Sequence, residues 1–327
     1  MSIHNAWAKV RGFNYQPGYS GHLQYTWTHF DSSYWDREVP WSLRFGATML
    51  RIWLDWSAYL ATGDAMLDNL DRALTILDRS GLKAMPVLFN RWVDRQFPAG
   101  GVADSDLRTA SLTFDKFYPY VDKLMERFGD DGRIAAWDLC NEPQAPGPTP
   151  ELGMLELRWL GTIADRIRHR SSIPITIGTM TGENVATYAP LVDVISFHPY
   201  PKTVEGMVST CLTHLALATS FGKPLLCTET CVGSLDDQER GLLAMQTLEV
   251  LEQHEIGWLA WHLVAGPFVT GNRERMDDNA VRPGEGFMPF VLDNGATRPG
   301  HEWLVKRGGH ALGSSTISVV RPPYKAL

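Results

Sequence analysis

The sequence predicts an α/β fold, a (β/α)8 barrel formed by a single domain. Strand-like apolar runs alternate with amphipathic helical segments along the whole chain of 327 residues, and eight such pairs follow one another without a change in composition. The strand-like runs are short and continuously apolar, as is typical of parallel strands that are buried on both faces. Eight β-then-α units in one chain favour a barrel.

The eight predicted strands span residues 10–14, 48–54, 82–89, 134–139, 175–179, 192–197, 225–228 and 257–261. The predicted helices span 66–80, 114–128, 152–168, 207–220 and 236–254. The first of these has the clearest helical spacing, with one apolar face formed by Leu67, Leu70, Leu74 and Leu77. Gly81 is expected to end this helix.

One catalytic barrel is expected over residues 1–313, followed by a C-terminal surface tail over 314–327. No internal repeat or interdomain linker interrupts the pattern. The Pro/Gly-rich stretch 144–150 reads as an active-site loop, and 265–297 is expected to form a lid or cleft wall because it follows the last strand.

Charge and hydropathy exclude several function classes. The net charge of −7 with both signs interspersed, and the lack of a basic cluster, argue against nucleic-acid binding. No stretch approaches the ~18–20 apolar residues that span a bilayer, so no membrane partner is expected. The N-terminus has no basic segment followed by an apolar one, and none of the four cysteines shows C-x-x-C spacing. We therefore expect a cytoplasmic protein with reduced thiols, of undetermined oligomeric state.

Polar and aromatic residues stand where the predicted strands end. In a (β/α)8 barrel the site forms at the carboxyl ends of the strands, so these side chains should meet. They are Arg51, Asn90, Asn141, Glu142, His198, Tyr200, Glu229 and Trp261. Weaker cleft candidates near the same ends are Asn14, Tyr15, Trp53, Asp55, Trp56 and His262.

Two of these residues are carboxylates, Glu142 and Glu229, and each closes a short apolar run. A carboxylate at the end of a buried strand is costly unless its charge is used or paired. Two of them from distant parts of the chain suggest the paired-carboxylate chemistry that cleaves glycosidic bonds. The pair is the most informative feature of the sequence.

The set Asn-Glu on strand four, His-x-Tyr on strand six, Glu on strand seven and Trp on strand eight resembles the retaining β-glycosidases built on (β/α)8 barrels. It comes closest to the cellulase-like members of glycoside hydrolase family 5, over nearly the whole chain. That family usually carries a histidine at the end of strand three, where this sequence has Asn90. Asn90 can still bond a sugar hydroxyl, but it cannot carry charge.

The resemblance implies a role for each residue. Glu142 would be the general acid/base and Glu229 the nucleophile. The other strand-end residues would bind substrate: Asn141 at the sugar 2-hydroxyl, Trp261 as a stacking floor, with Arg51, Asn90, His198 and Tyr200 around them. No metal or cofactor is implied.

These roles make physical demands on the site. The two carboxyl groups of a retaining enzyme lie about 5–5.5 Å apart. Glu229 must stay ionised, which Arg51 and Tyr200 would favour, whereas Glu142 needs a raised pKa from partial burial and the charge of Glu229. Strict strand alternation would aim Asn141 away from Glu142, so a bulge or twist is expected there.

The predicted activity is hydrolysis of β-glycosidic bonds in small glycosides or oligosaccharides through a covalent glycosyl-enzyme intermediate. Within the same family, an endo-acting cellulase, xylanase or mannanase, or a transglycosylase, is the alternative. A metal-dependent sugar isomerase or hydrolase barrel is a different class, because two glutamates and histidines can also ligate a divalent ion. A silent sugar-binding barrel is the last alternative, although it would have little reason to keep both carboxylates.

Overall fold

Eight parallel strands form the framework of the protein. The computed structural model describes residues 6–91, 101–109, 114–145, 147–268, 270–273 and 286–311. The predicted tail 314–327, the boundary at 313 and the middle of the predicted lid lie outside the described residues. The predicted fold class is confirmed, since the described strands make one sheet in the order β5-β4-β3-β2-β1-β8-β7-β6.

The strands lie within a few residues of the predicted spans. Their bounds are β1 Arg11–Tyr15, β2 Met49–Trp53, β3 Lys83–Asn90, β4 Trp137–Asn141, β5 Ile175–Gly178, β6 Ile195–Phe197, β7 Leu225–Cys227 and β8 Gly257–Ala260. Successive strands are neighbours in the sheet, and β1 also pairs with β8. The chain therefore curls the sheet round on itself, as a barrel requires.

The two ends of the sheet, β5 and β6, meet without a continuous ladder. The Asp193 amide donates to the Ile175 carbonyl oxygen at 2.9 Å, just before β6 begins. Nearer the carboxyl ends of the two strands, the hydroxyl of Thr176 donates to the Val194 carbonyl oxygen at 2.8 Å, and that of Thr179 donates to the Ser196 carbonyl oxygen at 2.6 Å. Side-chain hydroxyls thus replace ladder hydrogen bonds where the barrel closes.

Helices surround the barrel. They are α1 Leu23–Thr28, α2 Ser32–Glu38, α3 Trp56–Thr62, α4 Asp64–Arg79, α5 Asp104–Thr109, α6 Tyr118–Phe128, α7 Pro150–Arg168, α8 Glu183–Tyr188, α9 Val204–Phe221, α10 Asp237–Gln253 and α11 Glu302–Ala311. The five predicted helices correspond to α4, α6, α7, α9 and α10. The short helices α1, α2, α3, α5 and α8 escape prediction because fewer than two turns cannot display an apolar repeat.

The interior of the barrel is apolar at the end where the strands begin. One buried cluster there comprises Val10, Met49, Met85, Ala136, Val194, Leu226 and Leu259. Outside the sheet, the predicted apolar face of α4 is fully buried. Because apolar side chains fill this end, the polar side chains of the barrel interior lie toward the opposite end, where the strands finish. No helix in the described part of the chain is long and apolar enough to cross a membrane.

Candidate active site

The carboxyl ends of the strands bring the predicted polar residues together. Parallel register sets Asn14 beside Arg51, and it sets Asn90 beside Asn141 nearer the carboxyl ends of the strands. The amide of Asn141 donates to Oδ1 of Asn90 at 3.2 Å. The structure therefore places Asn90 in contact with Asn141.

Arg51 is the central cation of the site and is fully buried. Its Nε donates to Asp138 at 2.8 Å, its Nη1 to Asn14 at 2.8 Å and to Glu229 at 3.3 Å, and its Nη2 to Asn141 at 2.9 Å. A buried guanidinium is tolerated only when its charge and donors are met in this way. One side chain from β2 thereby orients four residues that lie on or directly after three other strands, β1, β4 and β7.

Glu229 follows β7 and accepts hydrogen bonds at both carboxylate oxygens. Tyr200 donates its hydroxyl to Oε1 at 2.8 Å, and Arg51 reaches Oε2. Burial raises the pKa of Glu229, and the negative charge of Glu142 adds to this, against the lowering effect of His198, Arg51 and Tyr200. Arg51 and Tyr200 thus act in the predicted direction, but burial outweighs them.

Glu142 directly follows β4 and has a left-handed backbone with φ of 45°. Its amide donates to the Gly178 carbonyl oxygen at 2.6 Å, and the β4–β5 register shifts between Asp138 and Asn141. A non-glycine residue in this region costs about 1–3 kcal/mol and persists only where its surroundings hold it. The local twist expected from the sequence is present, and it lets Asn141 and Glu142 both reach the cleft.

His198 contacts both glutamates. Its Nδ1 lies 3.0 Å from Oε1 of Glu142 and 3.9 Å from Oε2 of Glu229, and its Nε2 lies 2.9 Å from the Thr228 hydroxyl. Burial lowers the pKa of His198 to about 4, helped by the positive charge of Arg51. The imidazole is therefore neutral near pH 7, so one of its nitrogens donates and the other accepts.

The two glutamates lie close together. One carboxylate oxygen of Glu142, one of Glu229 and a ring nitrogen of His198 all lie within 4.8 Å of one another. This fits the ~5–5.5 Å spacing of retaining glycosidases and is shorter than the ~6.5–9.5 Å of inverting ones. The same three side chains have the spacing of a metal site, but the Arg51 cation beside Glu229 opposes a second positive charge there.

Two tryptophans line the cleft beside these polar groups. Trp261 follows β8, and its indole donates to the Thr270 hydroxyl at 2.8 Å. The ring of Trp53 stands edge-on to that of Trp261, with centroids 5.4 Å apart, and the guanidinium of Arg51 lies 4.7 Å from the Trp53 ring centre. Trp53 thus contacts both Trp261 and the Arg51 guanidinium.

Four of the six weaker candidates fall into two groups. Asn14 and Trp53 belong to the site because both contact Arg51. Asp55 instead accepts from the Ser57 and Ala58 amides and caps α3, and His262 is buried at 1% exposure with no hydrogen-bond partner for either ring nitrogen.

Sequence reasoning missed four residues that build the site: Asp138, Gly178, Ser196 and Thr228. Asp138 could have been found, since a charge within the apolar run of β4 is costly unless it is paired. A Cβ on Gly178 would lie against Arg51, and 3.0 Å from both Asp138 Oδ2 and His198 Nε2, so only glycine fits. The hydroxyls of Ser196 and Thr228 bond each other beneath His198.

A parallel (β/α)8 barrel with paired carboxylates at its strand ends is the arrangement of the cellulase-like glycoside hydrolases. No protein-family model matches the chain. Among curated proteins, it is 22% identical over 219 residues to mannan endo-1,4-β-mannosidase A of Aspergillus aculeatus, covering 58% of this chain and 57% of the relative. A probable mannan endo-1,4-β-mannosidase A-1 of Aspergillus terreus is 24% identical, with 58% and 56% covered. The chain thus spans little more than half the length of these relatives.

Solved structures share the fold over nearly the whole chain. A GH5_18 protein from Streptomyces cattleya, in complex with Manβ1-4GlcNAc, superposes with a TM-score of 0.73 at 13% identity, covering 94% of this chain and 82% of that one. The exo-β-1,4-mannosidase Op5Man5 from Opitutaceae bacterium strain TAV5 gives 0.71 at 17% identity, covering 92% and 59%. The resemblance to cellulase-like barrels is confirmed by these similarities.

Proposed function

We propose that the chain is a retaining β-glycosidase that cleaves β-mannosidic bonds in small glycosides or oligosaccharides. The observation that carries this proposal is the close pairing of Glu142 with Glu229, within 4.8 Å of each other beside His198. That spacing leaves no room for the water molecule that an inverting enzyme activates between its carboxyl groups. It suits direct attack by one carboxylate on the anomeric carbon.

Glu229 is the nucleophile in this proposal. Two donors, Arg51 and Tyr200, fix its carboxylate, so an oxygen is aimed at the anomeric carbon without further ordering. Attack forms a glycosyl ester on Glu229, while Glu142 gives its proton to the leaving oxygen. Glu142 then takes a proton from water, which attacks the anomeric carbon and releases Glu229 as a carboxylate.

The remaining site residues bind and orient the sugar. Asn141 has its amide oxygen engaged by Arg51, which turns its NH2 group toward Asn90 and the cleft. It is then placed to bond the sugar 2-hydroxyl, an interaction that strengthens in the oxocarbenium-like transition state. Trp261 offers a flat apolar face to the sugar ring.

A mannoside is favoured over a glucoside or xyloside because the curated relatives are named as mannosidases and two structural neighbours are described with mannosidase activity or a Manβ1-4GlcNAc ligand. Endo-action on mannan is the runner-up, since the curated relatives are named as endo-enzymes. Transfer of the sugar to another acceptor uses the same residues and is tested by the same assay.

A cytoplasmic location is part of the proposal. All four cysteines, Cys140, Cys211, Cys227 and Cys231, are buried free thiols. Free thiols are typical of proteins in a reducing compartment.

The test is hydrolysis of aryl β-mannosides, β-glucosides and β-xylosides by the wild type and by Glu142→Ala, each with good and poor leaving groups. The variant is expected to lose most activity with poor leaving groups and to keep the first step with good ones, because only poor leaving groups need a proton. Mannobiose, mannan and added acceptor alcohols separate exo-action, endo-action and transfer.

Two results would overturn the proposal. If the wild type cleaves no β-glycoside but binds oligosaccharides, the chain is a silent binder. If a chelator abolishes activity and a divalent ion restores it, then Glu142, His198 and Glu229 act as metal ligands instead.

A further inference from the structure

A buried ion pair lies directly behind the loop that carries Glu142. Arg91 follows β3, and its Nε contacts Oε2 of Glu156 on α7 at 2.5 Å, with only 2% and 1% of the two side chains exposed. No step of the proposed mechanism uses either residue. A buried carboxylate is tolerated only when its charge and hydrogen-bonding capacity are met by partners, so the partners of Glu156 show what it holds in place.

The second oxygen of Glu156 holds the active-site loop. Oε1 accepts a hydrogen bond from the backbone amide of Ala145 at 2.5 Å and from the hydroxyl of Tyr188 at 2.7 Å. Ala145 is three residues after Glu142. Glu156 thus joins the loop after β4 to α7, to α8 and, through Arg91, to the end of β3.

The same loop is held at two further points. Asn184, on α8, donates its side-chain amide to the Pro143 carbonyl oxygen at 3.1 Å and to the Ala145 carbonyl oxygen at 2.7 Å. Arg91 in turn donates its backbone amide to the Asn141 carbonyl oxygen at 3.0 Å. The backbone on both sides of Glu142 is therefore held by hydrogen bonds from neighbouring elements.

Glu142 needs such attachment because its backbone is in the left-handed region, with φ of 45°. A non-glycine residue stays there only where neighbouring contacts determine its conformation. The Gly178 carbonyl oxygen holds the Glu142 amide on one side, and the Glu156 contacts hold the following residues on the other. Loosening either side would let the Glu142 carboxyl move relative to Glu229.

We propose that Glu156 is a positioning residue for Glu142: by binding the Ala145 amide it keeps the acid/base carboxyl at the leaving oxygen. The inference rests on the proposed acid/base role of Glu142. Misplacement of a reacting group by about 1 Å lowers rates by roughly 100-fold. Proton donation should therefore suffer when Glu156 is changed, while attack by Glu229 should not.

The test compares the leaving-group dependence of kcat/KM in Glu156→Gln with that of the wild type and Glu142→Ala. We expect a loss of about 10- to 100-fold with poor leaving groups and a several-fold smaller loss with a dinitrophenyl group. Arg91 keeps Asp104 as a charged partner in this variant, which favours folding. Asn184→Ala, which removes only the two loop contacts of a partly exposed residue, gives a second and milder variant with the same expected pattern.

Ile167→Ala is the matched control. Ile167 is a fully buried residue of α7, 11 positions beyond Glu156 and so about 16 Å further along the helix. It should lower the thermal stability while leaving the leaving-group dependence of the wild type unchanged. Equal losses on all leaving groups in both Glu156→Gln and Asn184→Ala would overturn the positioning role.

The two proposals fail in different ways. If Glu142→Ala itself shows no leaving-group dependence, the proposed function is wrong, and the positioning role is rejected with it. If Glu142→Ala shows the dependence and the Glu156 and Asn184 variants do not, only the positioning role is wrong.

Discussion

The Nδ1 atom of His198 lies 3.0 Å from Oε1 of Glu142, so the two groups share a hydrogen bond inside the cleft. Since burial lowers the pKa of His198 to about 4, the ring is neutral when the protein is folded near neutral pH. When Glu142 is ionised, Nδ1–H donates to it and Nε2 accepts from the Thr228 hydroxyl. When Glu142 carries a proton, the two ring nitrogens of His198 can exchange their donor and acceptor roles. The histidine therefore stays neutral in both protonation states of Glu142.

Stability should depend on His198 at mildly acidic pH. Between its ordinary pKa of 6.5 and its folded value of about 4, the unfolded chain binds a proton that the folded protein does not. The contribution of His198 to the free energy of unfolding is thus present above pH 6.5 and lost as the pH falls toward 4, by up to roughly 3 kcal/mol. Urea unfolding from pH 4 to 7 should show a shallower pH slope in His198→Gln; identical slopes would contradict the assignment.

Activity should fall at acidic pH at a point above the ordinary glutamate pKa of 4.5, because burial raises the pKa of Glu229 and the nucleophile must be ionised. The Tyr200 hydroxyl lowers that pKa by bonding the charged form, so Tyr200→Phe should move the acid limb of kcat/KM to higher pH. Tyr59→Phe, on α3 outside the site, serves as the control. An acid limb that stays in place in Tyr200→Phe would show that Glu229 does not set it.

A covalent intermediate should be trapped on Glu229. A 2-deoxy-2-fluoro-β-mannoside with an activated leaving group slows both steps by destabilising the oxocarbenium-like transition state, and its good leaving group lets the ester accumulate. Mass spectrometry of the digested protein should find one sugar on the peptide that contains Glu229. Glu229→Gln should take up no label, and a label on Glu142 would reverse the two roles.

Gly178 should resist substitution. In Gly178→Ala the new Cβ would press on Arg51, Asp138 and His198, so we expect a loss of about 1–3 kcal/mol in stability and at least a tenfold loss of kcat. Gly161→Ala is the control: it lies within α7, where its Cβ would meet only a Leu191 methyl at 3.8 Å, and it should gain about 0.5–1 kcal/mol. Thermal unfolding and kcat measure both, and a Gly178→Ala variant that matches the wild type would contradict the tight packing.

Much of the fold could be predicted because its signals are local. A strand buried on both faces must be apolar along its length, so each of the eight strands can be recognised as an apolar run. The buried face of α4 can likewise be predicted from the spacing of its apolar residues alone. The strand-end rule then collects Glu142, Glu229 and their neighbours at one edge of the barrel. Short helices such as α1 carry no such repeat and depend on contacts with the rest of the protein.

The sequence by itself therefore determined the barrel, the approximate spans of its strands and the position of both glutamates at strand ends, since these follow from periodicity and position. Only the tertiary structure decided what those residues do to one another. The partners of Arg51 are Asn14, Asp138, Asn141 and Glu229. They lie in three distant parts of the chain and meet only when the barrel forms. The tertiary structure also decided that the pKa of Glu229 is raised, because burial and the effect of neighbouring charges depend on three-dimensional distance.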